Sequence, residues 1–168
     1  SSLYLAPPAA GDVPAKAEKE SSVEYADAQP QFTVRRAMKT WQFYAIWWLF
    51  FTNITCGIAL LSVASPMAQD VVGMSPMAAA SMVGFIGLMN GAGRIAWATI
   101  SDYIGRSATY VLFFVIEILA FWQLAGVTGA FSFQVLVLLI ISCYGGGFSC
   151  MPAYLSDLFG TKYLSAIH

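Results

Sequence analysis

Residues 77–127 read MAAASMVGFIGLMNGAGRIAWATI SDYIGRS ATYVLFFVIEILAFWQLAGV, two apolar blocks (77–100 and 108–127) on either side of a short polar turn at 101–107. A membrane-spanning helix needs roughly 20 mainly apolar residues, because the hydrocarbon core is about 30 Å thick and a helix rises about 1.5 Å per residue. Both blocks have this length. A short turn makes two long helices antiparallel neighbours, so the stretch predicts a transmembrane helical hairpin.

The same pattern extends in both directions along the chain. Apolar blocks at about 41–67 and 131–159 are joined to the central hairpin by short connections. The whole chain is 58% hydrophobic and 10% charged, with a mean hydropathy of +0.67, whereas soluble domains carry about a quarter charged residues. Lipid is therefore the expected solvent for the excess apolar surface. The predicted fold class is all-α, a polytopic transmembrane helix bundle.

The ends of the blocks predict the domain organisation and the orientation. Residues 1–34 combine several prolines with Ala, Ser, Lys and Glu, a composition typical of a mobile linker. Basic residues in short loops mark the cytoplasmic side. All of them fall on one side of the predicted bundle, at Arg35, Arg36, Lys39, Arg106 and Lys162. We therefore predict an integral protein of a plasma membrane or a bacterial inner membrane, with residues 1–39, 101–107 and 160–163 in the cytoplasm.

The composition argues against several other classes of protein. The single histidine is the last residue, His168, so no internal histidine serves as a base or ligand. Cys56, Cys143 and Cys150 lie inside apolar blocks without metal-ligand spacing. The few basic residues form no patch that would bind nucleic acid. We therefore expect no enzyme activity, no metal, no cofactor and no nucleic-acid partner.

Two ionisable side chains lie within the predicted helices. Arg94 is eight residues before Asp102, about 12 Å from the cytoplasmic turn. A buried guanidinium is costly in a membrane, which leaves two alternatives: a cavity cation that binds a carboxylate, or a structural charge that is paired or snorkels to the interface. Glu117 is eleven residues after Arg106, about 16 Å deep. Three roles stay open for it, namely a neutral structural acid, an ion pair with Arg94, or a proton carrier.

Glycine and proline punctuate two of the blocks. Gly84, Gly87 and Gly91 recur at helical spacing, which favours close helix packing. The fourth block contains three consecutive glycines followed by a proline, which predicts either a bend beside a cavity or a packing notch. These residues are Gly145, Gly146, Gly147 and Pro152.

The turn and its flanks carry a family resemblance. Asp102, Gly105 and Arg106 are similar to the cytoplasmic-loop motif G-x-x-x-D-x-x-G-R of the major facilitator superfamily, with Ala98 in place of the first glycine. Asn90-Gly91-x-x-Arg94, together with Tyr144-Gly-Gly-Gly-Phe148-x-x-Met151-Pro152 and Phe159-Gly-Thr-Lys162, resembles the oxalate/formate antiporter family. The resemblance covers residues 35–168. It implies that the four blocks are helices 7–10 of twelve in the C-terminal half of a carrier, with residues 1–34 as the linker between halves and helix 11 beginning after residue 163.

The resemblance also implies residue roles. Arg94 matches the arginine that binds the dicarboxylate in that family, and Tyr144 is a candidate lining residue of the cavity. Asp102, Gly105 and Arg106 would belong to the latch that opens and closes as the two halves rock. The family's second substrate-binding cation, a lysine, would lie beyond His168.

The function that the resemblance implies is alternating-access transport of small organic anions, oxalate- or formate-like carboxylates, by exchange. The expected partners are the anion, the lipid bilayer and the missing helices of the same polypeptide. A proton-coupled monocarboxylate symporter, with Glu117 as the proton carrier, is one alternative. A membrane sensor that has lost transport is another.

Overall fold

The computed structural model describes residues 32–162 and 164–167. This part of the chain contains helices and no strands, as the all-α prediction requires. Most of the predicted linker, residues 1–31, and His168 lie outside the described residues. The helices are α1 (Val34–Ala37), α2 (Trp41–Asp70), α3 (Pro76–Ile104), α4 (Arg106–Leu124), α5 (Ala130–Phe159) and α6 (Leu164–Ile167).

The polar turn at 101–107 is shorter than predicted. α3 continues to Ile104 and α4 begins at Arg106, so Gly105 alone separates the two helices. Its φ of 88° lies in a region that glycine adopts without steric cost. At the other end of α3, Pro76 occupies the first turn, and the Ser75 hydroxyl accepts a hydrogen bond from the Ala78 amide at 3.3 Å. Local sequence therefore sets both ends of this helix.

Three of the four long helices are long and apolar enough to cross a membrane: α2, α4 and α5. α3 has sufficient length, with 29 residues, but does not meet the same criterion of apolarity. Asn90, Arg94 and Asp102 lie along it and lower its hydropathy. We predicted four apolar spans, and α3 is the least apolar of them because of its polar side chains and glycines.

α5 is the central helix of the bundle. In the most apolar 18-residue stretch of α5, 56% of the residues are buried. The corresponding fractions are 22% in α2 and 33% in α4. It contributes to both clusters of the core, one around Leu60, Met82 and Phe133 and the other around Ile46, Phe113 and Leu155. Many large apolar side chains on the other helices are exposed, as expected where helices face lipid or further helices.

The glycines of α3 do not pack against a described helix in the way that their spacing predicted. Gly84, Gly87 and Gly91 are exposed, and nothing lies within 4 Å of where their Cβ atoms would be. Gly93, on the opposite face of the helix, is the glycine of α3 that meets α5, because a Cβ there would lie 2.9 Å from the Ser142 Cα. Within the described residues, the predicted packing stripe therefore faces outward.

Candidate functional site

Arg94 lies on the exposed side of α3 with its guanidinium held in two ways. Its Nε donates a hydrogen bond to the Asn90 Oδ1 one turn earlier, at 3.2 Å. Its Cζ lies 5.4 Å from the centroid of the Phe148 ring on α5, within the range of a cation–π contact. Neither terminal amino group has a partner among the described residues. The guanidinium of the exposed Arg94 thus has its Nε and one face engaged.

Phe148 belongs to an aromatic group that continues from Arg94 toward α2. Its ring centroid lies 5.3 Å from that of Tyr144 and 5.2 Å from that of Phe50, both in edge-to-face geometry. The Tyr144 ring covers Gly57 of α2 so closely that any side chain at that position would overlap it. The two predicted substrate residues, Arg94 and Tyr144, therefore share one neighbour, Phe148.

Each glycine of the three-glycine run faces a different neighbour. Gly145 meets the Asn90 backbone, with its hypothetical Cβ 3.3 Å from the Asn90 Cα. Gly146 meets the Trp97 side chain, and Gly147 meets the Asn53 amide. The run thus accommodates α3 on one side of α5 and α2 on the other. This arrangement agrees with the packing-notch alternative.

Pro152 follows the glycine run by one helical turn. It lies within α5, where it lacks the N–H that would otherwise close a helical hydrogen bond. The buried Tyr110 hydroxyl of α4 donates to the Gly147 carbonyl at 2.7 Å, which ties the glycine run to α4 as well. The bend beside a cavity that this proline suggested stays a prediction.

Arg106 connects the ends of three helices. It contacts Asp102 at the end of α3 as an ion pair and also donates to the Ser101 hydroxyl. Its Nε lies 3.7 Å from the Asp157 Oδ2 on α5. Asp157 was not singled out by the sequence analysis, although an acid at the cytoplasmic end of the fourth apolar block was a usable signal. Gly105 supplies the turn that presents Arg106 to both carboxylates.

Glu117 is buried in α4, with 3% of its surface exposed. Its Oε1 accepts a hydrogen bond from the Nδ2 of Asn53 on α2, at 3.1 Å. The alternative of an ion pair with Arg94 is wrong for this structure, since Arg94 is engaged by Asn90 and Phe148 instead. Asn53 was missed as a partner, although an asparagine in the middle of an apolar block signals a buried hydrogen bond.

The charges in the described ranges, 32–162 and 164–167, show a clear division. Arg106, at the end of the bundle, forms ion pairs with Asp102 and Asp157. Arg94 is the cation of the membrane helices, and no carboxylate of the described part pairs with it. No group of three potential metal ligands occurs in the same ranges. The arrangement favours binding of an anion through Arg94.

The sequence of the chain is similar to those of known proteins. The sequence model of the Major Facilitator Superfamily matches residues 2–167. The chain is 28% identical to the oxalate:formate antiporter of Oxalobacter formigenes over 134 residues, which are 79% of this chain and 32% of the antiporter. It is 28% identical to the apicoplast pyruvate carrier 1 of Toxoplasma gondii over 156 residues, 84% of this chain and 27% of the carrier.

A third relative is the uncharacterised MFS-type transporter YhjX of Escherichia coli strain K12, with 24% identity over 138 residues, 82% of this chain and 34% of that protein. The chain therefore spans about a third of the length of the curated relatives that it matches. No solved structure matches it.

Proposed function

Because the chain belongs to the Major Facilitator Superfamily, we propose that the protein containing it carries small carboxylate anions across a membrane by alternating access, through exchange of one anion for another. The observation that carries this proposal is the guanidinium of Arg94, which lies on a membrane helix without a carboxylate partner in the described residues. A charge in that position is costly. Binding an anionic substrate would offset the cost.

The way Arg94 is held supports a carboxylate as the ligand. Asn90 engages the Nε and Phe148 covers one face, so the two terminal nitrogens remain for a ligand. These nitrogens form the planar fork that matches the two oxygens of a carboxylate. Tyr144, packed on Phe148, would line the same cavity. A monocarboxylate needs this fork alone, whereas a dicarboxylate needs a second cation elsewhere in the protein.

The names of the relatives point to the same substrate class. One is an oxalate:formate antiporter and another a pyruvate carrier, and all three of these compounds are small carboxylates. The names differ in the mode of transport, since of these two only the first specifies exchange. We therefore infer the substrate class from Arg94 and propose exchange as the mode of transport.

The Arg106 cluster has a separate role in this proposal. Its ion pairs join α3 and α4 to the end of α5, and the side chains of Asp102 and Asp157 are 62% and 63% exposed. Exposed ion pairs contribute only about 0.2–1 kcal/mol each. Contacts this weak suit a latch that breaks and re-forms during each transport cycle. Arg106, Asp102 and Gly105 would set the balance between conformations and would not bind substrate.

Proton-coupled transport of a monocarboxylate is the second candidate. It is favoured by one specific observation, the buried Glu117 on a membrane helix. In that mechanism Glu117 would take up and release the proton, while Arg94 would still bind the carboxylate. The two candidates therefore share the substrate site and differ in the coupling.

Exchange in liposomes tests the proposal. The full-length protein is reconstituted with internal oxalate, and the uptake of labelled oxalate, formate and pyruvate is measured for wild type, Arg94→Ala and Arg94→Lys. We expect exchange in wild type, none in Arg94→Ala and weak exchange in Arg94→Lys, because an ammonium lacks the planar fork. Arg35→Ala removes an exposed arginine outside the long helices and serves as the matched control. Wild-type exchange that survives in Arg94→Ala would refute the assignment of the site.

A further inference from the structure

Asn53 and Glu117 form a buried hydrogen bond between the side chains of two membrane helices. Asn53 is 0% exposed and Glu117 is 3% exposed. They lie 64 positions apart in the sequence, on α2 and α4, and share one hydrogen bond from the Asn53 Nδ2 to the Glu117 Oε1. The packing of the bundle thus places an acid and an amide together where water is excluded.

This contact leaves two hydrogen-bond acceptors without partners. The Asn53 Oδ1 and the Glu117 Oε2 are both buried, and neither has a hydrogen-bond partner. An ionised carboxylate and an amide have only the two amide N–H groups to share between three buried oxygens. Buried polar atoms are normally paired, and each unpaired one is costly. A charged Glu117 therefore does not fit the site well.

Among the described residues, no cation forms an ion pair with Glu117. The titratable groups that interact electrostatically with it are two thiols, Cys56 on α2 and Cys143 on α5. The charged side chains of α3 and the start of α4 are engaged elsewhere. Arg94 is bound by Asn90 and Phe148, and Arg106 pairs with Asp102 and Asp157.

A single proton on Glu117 would answer both the buried charge and the unpaired carboxylate oxygen. Placed on the Oε2, it turns that oxygen from an acceptor into a donor and removes the buried charge. The new O–H is on the same carboxyl group that already accepts from the Asn53 amide. A carboxylic acid and a primary amide can pair through two hydrogen bonds, one in each direction, and such pairing would supply the donor that the Asn53 Oδ1 lacks.

The site lies where helices could separate. An open apolar groove of about 470 Å³ lies between the C-terminal parts of α2 and α4. Its lining includes Ala59, Val63 and Phe121. The Asn53–Glu117 hydrogen bond spans the same two helices. Gly147 of α5 closes the site on a third side, against the Asn53 amide. Movement of α2 away from α4 would open this bond and admit water to the acid.

We propose that Asn53 and Glu117 form a buried proton-binding site, in which Glu117 keeps a proton while α2 and α4 are packed together and releases it when they part. For its role in transport the inference rests on the second candidate function, proton-coupled transport, because it assigns the proton as the coupling ion. The acid–amide pair itself does not depend on the identity of the transported anion.

Infrared difference spectroscopy tests the protonation directly. Spectra of the full-length protein in lipid at neutral pH are compared between wild type and Glu117→Gln, which keeps the size of the side chain and is always neutral. We expect the difference to contain the carbonyl stretch of a protonated carboxylic acid. In Asn53→Leu this band should move to higher frequency, because the acid carbonyl loses its hydrogen bond. A difference that contains only carboxylate bands would overturn the proposal.

Transport by the same variants tests the coupling. In liposomes with an imposed pH gradient, proton-driven carboxylate uptake in Glu117→Gln should fall to the level of protein-free vesicles, while anion exchange continues. Proton-driven uptake that persists in Glu117→Gln would overturn the coupling role. The substrate site fails separately, since exchange that is insensitive to Arg94→Ala refutes the proposed function without affecting the infrared result.

Discussion

Gly147 of α5 lies directly against the amide of Asn53 on α2, so that a Cβ at this glycine would be 2.8 Å from the Asn53 Cγ. The carbonyl of the same glycine accepts the hydrogen bond of the buried Tyr110 hydroxyl on α4. One residue of the central helix therefore contacts the helices on either side of it. It also closes the acid–amide pair that Asn53 forms with Glu117.

Replacement of this glycine should destabilise the bundle. Gly147→Ala places a methyl group into the Asn53 amide, and overpacking of this kind costs typically 1–3 kcal/mol. The loss should appear as a lower melting temperature of the full-length protein in detergent. Gly126→Ala is the matched control, because Gly126 lies in the turn after α4 with nothing near its Cβ position. Equal melting temperatures for the two variants would contradict this packing.

Asn90 should orient Arg94 for substrate. In Asn90→Ala the Nε loses its hydrogen bond, which contributes about 1 kcal/mol and corresponds to a roughly fivefold rise in KM for the exchanged anion. The turnover number should change less, since the terminal nitrogens remain. Thr99→Ala should behave as wild type, because Thr99 lies on the same helix and its hydroxyl donates to the Ile95 carbonyl of that helix. A KM that does not change would remove Asn90 from the site.

We expect the face of the Phe148 ring to support anion exchange through its contact with Arg94. Phe148→Leu removes the cation–π contact with Arg94, worth about 0.5–2 kcal/mol, together with the edge contacts to Tyr144 and Phe50. We expect a several-fold loss in kcat/KM for anion exchange. Phe148→Tyr keeps the aromatic face and should retain most of the activity. Equal losses in both variants would point to packing alone.

The Tyr144 hydroxyl is a separate test of the cavity. Tyr144→Phe keeps the ring over Gly57 and the contact with Phe148, so the melting temperature should not change. If the hydroxyl donates to the bound anion, KM should rise by a factor that corresponds to about 1 kcal/mol. If the KM of Tyr144→Phe equals that of wild type, this residue has only a packing role.

Asp157 should act with Arg106 in the conformational balance. Asp157→Asn removes one of the two charge partners of Arg106, a loss of about 0.2–1 kcal/mol. We expect the rate of exchange to change while the KM for the anion stays close to wild type. Asp70→Asn removes an exposed acid at the end of α2 and is the control. A change in KM alone would place Asp157 near the substrate instead.

Much of the fold was predictable because its signals are local. Apolar blocks of membrane-spanning length and short polar turns led to the long helices, and the all-α prediction is confirmed. The helix ends were less accurate, since residues 101–104 carry polar side chains but continue α3. A prediction from hydropathy places the end of a helix at the first polar residues. The chain instead turns at Gly105, because glycine can adopt the positive φ that the turn requires.

The candidate site was predictable only in part. Arg94 and Glu117 stood out because a charged residue is unusual in an apolar block. Their partners did not follow from that signal. Asn53 is 64 positions from Glu117, and Phe148 lies on another helix from Arg94. The glycine spacing was misleading for the same reason, because Gly84, Gly87 and Gly91 share a face of α3 that no described helix covers.

The sequence by itself determined that this protein is an α-helical membrane protein, that it resembles a carrier family, and which of its residues carry unusual charge. These properties depend on composition, on the length of apolar blocks and on short motifs. Only the tertiary structure decided that Glu117 pairs with Asn53, that Arg94 presents its terminal nitrogens, and that Gly147 stands between three helices. The physical reason is that helix rotation and crossing decide which side chains meet, and these follow from the packing of all the helices together.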